Sequence, residues 1–136
     1  MYTSAKTSPL QALEGEKYLS LTTFRRDGAA VATPVWFVAD EGRLLVWSFA
    51  SSHKVKRLRR DGRVRVAACD LRGTVHGPTW DASARILPAA TAARVQRLLR
   101  QKYPVARRLL DWTTTLLRRL RRRPEAPAAY IEIALH

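Results

Sequence analysis

The sequence predicts a mainly β fold: an antiparallel sheet or barrel with helices added. Three observations lead there. Apolar residues alternate with a period of two on both sides of one short helical stretch between Leu19 and Cys69. Tight-turn dipeptides join the alternating runs as hairpins, and no strand–helix–strand repeat appears. The 136 residues, 46% of them apolar, suit one domain spanning 1–136. A domain of this size buries roughly two-thirds of the surface its unfolded chain exposes.

"SPLQALEGEKY" reads as a short first helix, with Ser8 as cap, Pro9 at the first helical position, and Leu10 and Leu13 on one face. "YLSLTTFRRDGAAVATPVWFVADEGRLLVWSFA" then holds three strands, near 19–25, 29–38 and 43–49. "RRDG" and "ADEG" separate them, and their Asp-Gly and Glu-Gly pairs readily supply positive φ. Pro34 donates no ladder hydrogen bond, so the second strand is interrupted, bulged or on an edge there. "SSHKVKRLRRDG" predicts a short helix capped by Ser51 or Ser52, with Val55 and Leu58 inward and Gly62 ending it in the left-handed conformation.

"RVRVAACD" places Val64, Val66 and Ala68 on one side of a strand, and "GTVHGPTWDASARIL" reads as a long bent strand broken around Gly77-Pro78. After Pro88 the period returns to 3.6. The segment "TAARVQRLLRQKYPVARRLLDWTTTLLRRLRRR" predicts a helical pair with a break before Pro104. Arg94 to Arg123 holds eleven Lys or Arg against one acid, Asp111. "AAYIEIALH" closes the chain as a strand, so residues 90–123 form an Arg-rich helical insertion before it.

The formal charge is 25 − 11 = +14, with a pI near 11.3, a field that favours an anionic partner. A single cysteine, Cys69, excludes an intramolecular disulfide, and its alternating strand makes it a core residue. "MYTSAKTSPLQALEGE" lacks the apolar core of a signal peptide, and no run of ~18 apolar residues exists to span a bilayer. A cytoplasmic location is the expectation.

The sequence contains no G-x-G-x-x-G, G-x-x-x-x-G-K-[ST], H-E-x-x-H or C-x-x-C. His53, His76 and His136 lack metal-ligand spacing, and acids are too scarce to form a close pair. No metal site is expected. Any catalysis would draw its reactive group from a cofactor.

Seven of the 25 Lys and Arg residues fall between Lys54 and Arg65. A helix N-terminus carries free N–H groups and about half a positive charge, so Lys54, Lys56 and Arg57 sit at the unfavourable end of the dipole. An anion there would reverse the sign. Lys54 and Arg57, three apart, share a face, and Ser48, Ser51 and Ser52 add hydroxyls just upstream. Residues alone leave two readings, a phosphate seat or a solvated basic face. Basic helices such as "LLRRLRRR" suit nucleic-acid phosphates or a membrane surface. The missing helix-turn-helix layout and the strand positions of Trp36, Phe37 and Trp47 argue against nucleic acid. A core-packing helix with an arginine-rich outer face is favoured over peripheral membrane contact.

"YLSLTTFRRDGAAVATPVWFV", "GRLLVWSFASSHKVKRLRRDGRVRVAACDLRGTV" and "ARIL" resemble the PPOX-class F420-dependent oxidoreductases, split-barrel relatives of the pyridoxamine phosphate oxidases. The resemblance covers residues 17–103 and the closing strand, and rests on T-P-V-W-F followed by S-x-K-V-x-x-L-R-R-D-x-R-V. It implies a six-stranded split β-barrel that forms a homodimer with cofactor sites at the interface. It implies coenzyme F420, with FMN as substitute, and hydride transfer to a small organic acceptor. Thr33, Pro34, Val35 and Trp36 would line the deazaflavin ring, and Ser48, Ser51, Ser52, Lys54 and Arg57 would hold its phosphate. The polyglutamate tail of F420 would give the wider basic surface a use. A proton donor could be His53, His76, Tyr18 or solvent, and Trp80 lines the pocket or the core. Gly62 stands where the family often has proline, and "GPTWDASARIL" departs from the family pattern on the substrate side. A module that binds the cofactor or another polyanion without turnover is the alternative.

Overall fold

The computed structural model describes residues 8–103 and 128–135. Helix α1 (Pro9–Leu13) begins at a capping box: Ser8 Oγ accepts from Gln11 N (3.1 Å) and Gln11 Oε1 from Ser8 N (3.2 Å). Strands β1 (Tyr18–Phe24), β2 (Ala30–Val35), β3 (Phe37–Asp40) and β4 (Arg43–Phe49) follow. Helix α2 (His53–Arg60) leads into β5 (Arg63–Cys69) and β6 (Val75–Ile86). A 3-10 turn (Ala89–Thr91) then opens α3 (Ala92–Lys102), and β7 (Ala128–Leu135) is the last strand. The second half of the expected helical pair, and His136, lie outside the described residues.

The strands form one antiparallel sheet in the order β2-β1-β5-β6-β7-β4-β3. There are seven strands where six were expected, because the predicted run 29–38 divides at Trp36. This division explains the fold. β2 and β3 lie on opposite edges of the sheet, yet Trp36 alone joins them. The sheet must therefore curl until its two edges nearly meet, and the result is a split β-barrel. Pro34 sits on edge strand β2, where its missing donor costs no ladder bond.

The barrel interior is filled from alternate positions: Leu19 and Leu21 of β1, Phe37 of β3, Leu44 and Val46 of β4, Val64 and Val66 of β5, Ile131 and Ile133 of β7, all fully buried. Leu13 of α1 and Val55 and Leu58 of α2 close it, as their spacing predicts. A second cluster lies outside the barrel, where Val95, Leu99 and Tyr103 of α3 and its C-terminus cover Leu45 and Tyr130. Cys69 is buried, which pushes its thiol pKa up, first by desolvation and then by Asp70 and Glu16.

Two local expectations are corrected. Helix α2 ends at Asp61 in extended backbone (φ −143°), and Gly62 has no positive φ. Gly62 is needed for space: its carbonyl accepts from Ala84 N at 2.7 Å, and a Cβ there would stand 2.7 Å from the Ala84 carbonyl oxygen. β6 runs unbroken through Gly77-Pro78. Gly77 (φ 106°) bends it where three residues of β5, Ala67 to Cys69, face five of β6, Thr79 to Val75. In the turn between β3 and β4, Glu41 (φ 50°) and Gly42 (φ 80°) supply the expected positive φ. Among the described residues no helix is long and apolar enough to cross a membrane.

Candidate functional site: an apolar cleft at the barrel seam

The seam between the sheet edges opens into a cleft of about 310 Å³. Pro34, Val35 and Trp36 of the β2–β3 junction form one wall, and Trp47, Ser48 and Phe49 of β4 another. Tyr18 at the start of β1, Leu71 of the β5–β6 turn, and Lys54 of α2 complete it. Phe49 and Leu71 are 41% and 69% exposed, unusual for large apolar side chains, and the cleft is where they meet.

Trp36 is held in place from behind. Its ring stacks on Tyr103 with centroids 5.1 Å apart and planes within 11°. The Tyr103 hydroxyl lies 2.5 Å from the Lys17 carbonyl and 2.9 Å from the Phe37 carbonyl, and accepts from Phe37 N at 3.3 Å. The end of α3 is thus pinned to the chain just before β1 and to the start of edge strand β3. Burial raises the phenol to about 12, so it stays protonated and able to donate. On the other wall Trp47 meets Phe49 edge to face at 4.8 Å.

One end of the cleft is polar. Ser52 is the N-cap of α2, its Oγ accepting from Val55 N at 3.4 Å. Ser48 Oγ lies 3.0 Å from Ser52 Oγ, and Lys54 Nζ donates to Ser48 Oγ at 3.4 Å. Lys54 is half-buried and makes no ion pair among the described residues. Its pKa is lowered, first by burial and then by the Arg57 guanidinium. A desolvated cation, two hydroxyls and the N-terminus of α2 form a donor set suited to one phosphate.

Of the nine residues expected at a site, Pro34, Val35, Trp36, Ser48 and Lys54 line this cleft, with Ser52 bonded to Ser48. Thr33 lies two residues before Val35 on the same face of β2, and its Oγ1 is buried with no partner among the described residues. Ser51 is exposed in the turn before the cap. Arg57 lines a neighbouring cleft and donates to Thr23 Oγ1 at 3.2 Å. Of the three suggested proton donors, Tyr18 lines the seam, His53 lines the neighbouring cleft, and His76 pairs with Glu16. Trp80 packs against the barrel core. Sequence reasoning missed Trp47, Phe49, Leu71 and the backing role of Tyr103. Leu71 carried a signal, since a large apolar residue in a turn between two strands has no core to fill.

Fold and cleft together define a split β-barrel with an aromatic-walled seam. The sequence profile of the pyridoxamine 5'-phosphate oxidase family matches residues 10–130, and the chain belongs to that family. Among curated proteins none matches the sequence. Among solved structures the chain is similar to a conserved hypothetical protein from Mycobacterium tuberculosis, with TM-score 0.67 and 19% identity over 100% of this chain and 86% of that one. It is similar to a FAD-binding protein from Mesorhizobium loti, with TM-score 0.61 and 19% identity over 93% and 84%. A structure named F420 reductase aligns with TM-score 0.59 and 18% identity over 93% and 92%. These likenesses establish the fold.

Proposed function

We propose that the protein is an F420-dependent oxidoreductase acting on a small organic acceptor, with the cofactor in the seam cleft. The carrying observation is the joining of an apolar, tryptophan-walled slot to the Lys54–Ser48–Ser52 donor set at one end. A planar ring system with a phosphate arm matches that division of surface. Reduced F420, when bound, supplies the hydride that the acceptor takes up. The chain's own part is positioning and exclusion of water. Thr33, Pro34, Val35 and Trp36 would lie along the ring, and Thr33 Oγ1 would gain the partner it lacks. Ser48, Ser51, Ser52 and Lys54 would hold the phosphate, with Arg57 adding charge from beside it. Tyr18 is the protein group best placed to donate a proton to an acceptor held in the cleft. The exposed Phe49 and Leu71 at the mouth favour a homodimer with the site at its interface, and the reading implies cytoplasmic work.

FMN is the second cofactor reading, favoured by the family to which the chain belongs. Titration with F420 and with FMN, followed by fluorescence, separates the two. Saturable micromolar binding of F420 is expected; failure of both would sink the proposal. Binding without reduction of any acceptor in a broad panel would turn it into a carrier module.

A further inference from the structure

Beside the seam lies a cleft of about 430 Å³ whose lining is wholly basic: Arg25, Arg26, His53, Arg57 and Arg60. Among the described residues none of the five takes part in an ion pair. Two of them are tethered in place. Arg57 Nη1 donates to Thr23 Oγ1 (3.2 Å) and Arg60 Nη2 to the Phe24 carbonyl (2.7 Å), which aims both guanidiniums at the end of β1. Arg25 and Arg26 come from the adjoining tight turn, closed by Arg25 N to the Ala29 carbonyl (2.9 Å). The two acids nearest in sequence are engaged elsewhere: Asp27 Oδ1 accepts from Ala29 N at 2.9 Å, and Asp61 accepts from Arg63 N at 3.0 Å and pairs with the Arg63 guanidinium at 3.7 Å.

Four permanent cations that converge with no ion-pair partner among the described residues repel one another, and hydrogen bonds to backbone and hydroxyl hold two of them there regardless. Such a cluster is relieved by an anion of matching charge. Guanidinium forks favour phosphate oxygens, which they bind in bidentate fashion. The volume falls in the range of small-ligand sites, and the cations converge instead of running as a stripe along which a polymer backbone could lie. Lys54, which faces the seam cleft, does not line this one.

We propose that this cleft is a second anion site, separate from the seam, for an oligophosphate such as tripolyphosphate or the phosphate chain of a nucleotide. The proposal does not depend on the identity of the cofactor. Isothermal titration of the full chain with tripolyphosphate, and in parallel with a nucleoside triphosphate, tests it at two salt concentrations. Saturable binding of tripolyphosphate that weakens with salt is expected, and it should persist when the seam is saturated with F420 or FMN. Tighter binding of the nucleotide would add a base contact; equal binding would mean that phosphate alone is read, and both retain the site. The Arg25→Ala/Arg26→Ala variant, altered only in an exposed turn, should bind tripolyphosphate at least roughly tenfold more weakly. Its titration by the seam cofactor should be unchanged. Absence of saturable tripolyphosphate binding, displacement by the seam cofactor, binding of duplex DNA alone, or an unchanged affinity in the double variant would each overturn it.

Discussion

Lys54 and Arg57, three residues apart on α2, face two different clefts: the lysine ammonium reaches Ser48 at the seam, and the arginine guanidinium reaches Thr23 of β1. Shared helical phase does not impose a shared target, because the two side chains leave the helix in different directions toward different strands. Lys54→Ala should therefore weaken F420 binding by ~1.5–3 kcal/mol, the value of a lost charge-assisted contact. Arg57→Ala should cost clearly less. Equal dissociation constants for wild type and Lys54→Ala would remove the lysine from the cofactor site.

Tyr103→Phe should destabilise the fold by about 2 kcal/mol, because the hydroxyl accepts from Phe37 N and shares its one proton between the Lys17 and Phe37 carbonyls at the seam. Urea unfolding reads the loss. Trp36 would lose a fixed backing, so its fluorescence should report greater mobility in the variant. A variant as stable as wild type would show that the pin is idle.

Lys102 makes alkaline stability depend on pH. Its ammonium lies 3.5 Å from the centre of the Phe37 ring, buried without a hydrogen-bond partner among the described residues, and burial lowers its pKa to about 8, against a smaller opposing effect from Glu16. Between about 8 and 10.5 the unfolded chain holds a proton that the folded chain has released, so stability rises with pH across that window. Above about 10 Tyr103 works the other way: the fold keeps its phenolic proton to about 12 while the unfolded chain loses it, and stability falls. Lys102→Met should raise stability below pH 8 by about 1 kcal/mol, a figure discounted for the partly exposed side chain. Thermal melts of both proteins should converge toward pH 10.5. A constant difference from pH 7 to 10 would contradict this account.

Gly62→Ala should cost ~2 kcal/mol, since its Cβ would collide with a backbone carbonyl that cannot move without breaking the Ala84–Gly62 hydrogen bond. Gly15→Ala, with open space around it, should change stability by less than about 0.5 kcal/mol. A comparison of the two urea midpoints decides.

Much of this fold was legible in the sequence because its signals are local. The Ser8 capping box, the two hairpin turns and the alternation of β5 depend on neighbouring residues, and the structure keeps all of them. Of the nine residues to which the resemblance pointed, Pro34, Val35, Trp36, Ser48 and Lys54 line one cleft with Ser52 bonded to Ser48, whereas Ser51 is exposed and Arg57 lines the neighbouring cleft. The misreadings share a cause. Gly62 suggested a helix stop because glycine usually serves that purpose, whereas the reason for it is a strand residue 22 positions on. The predicted strand 29–38 was a single run because periodicity cannot see a sheet edge.

What the sequence determined by itself is the order of most elements, apart from the division of β2 from β3, together with the residues that fill the barrel and the strongly positive field. Those follow from propensity, patterning and composition, which are properties of short stretches. Only the tertiary structure decided that Trp36 is the one residue bridging opposite edges of a closed sheet, that Tyr103 stands behind it, and that the basic helix serves two clefts. Each of these depends on which distant backbones meet when the sheet curls. That curvature is set by packing over the whole barrel and is encoded in no single segment.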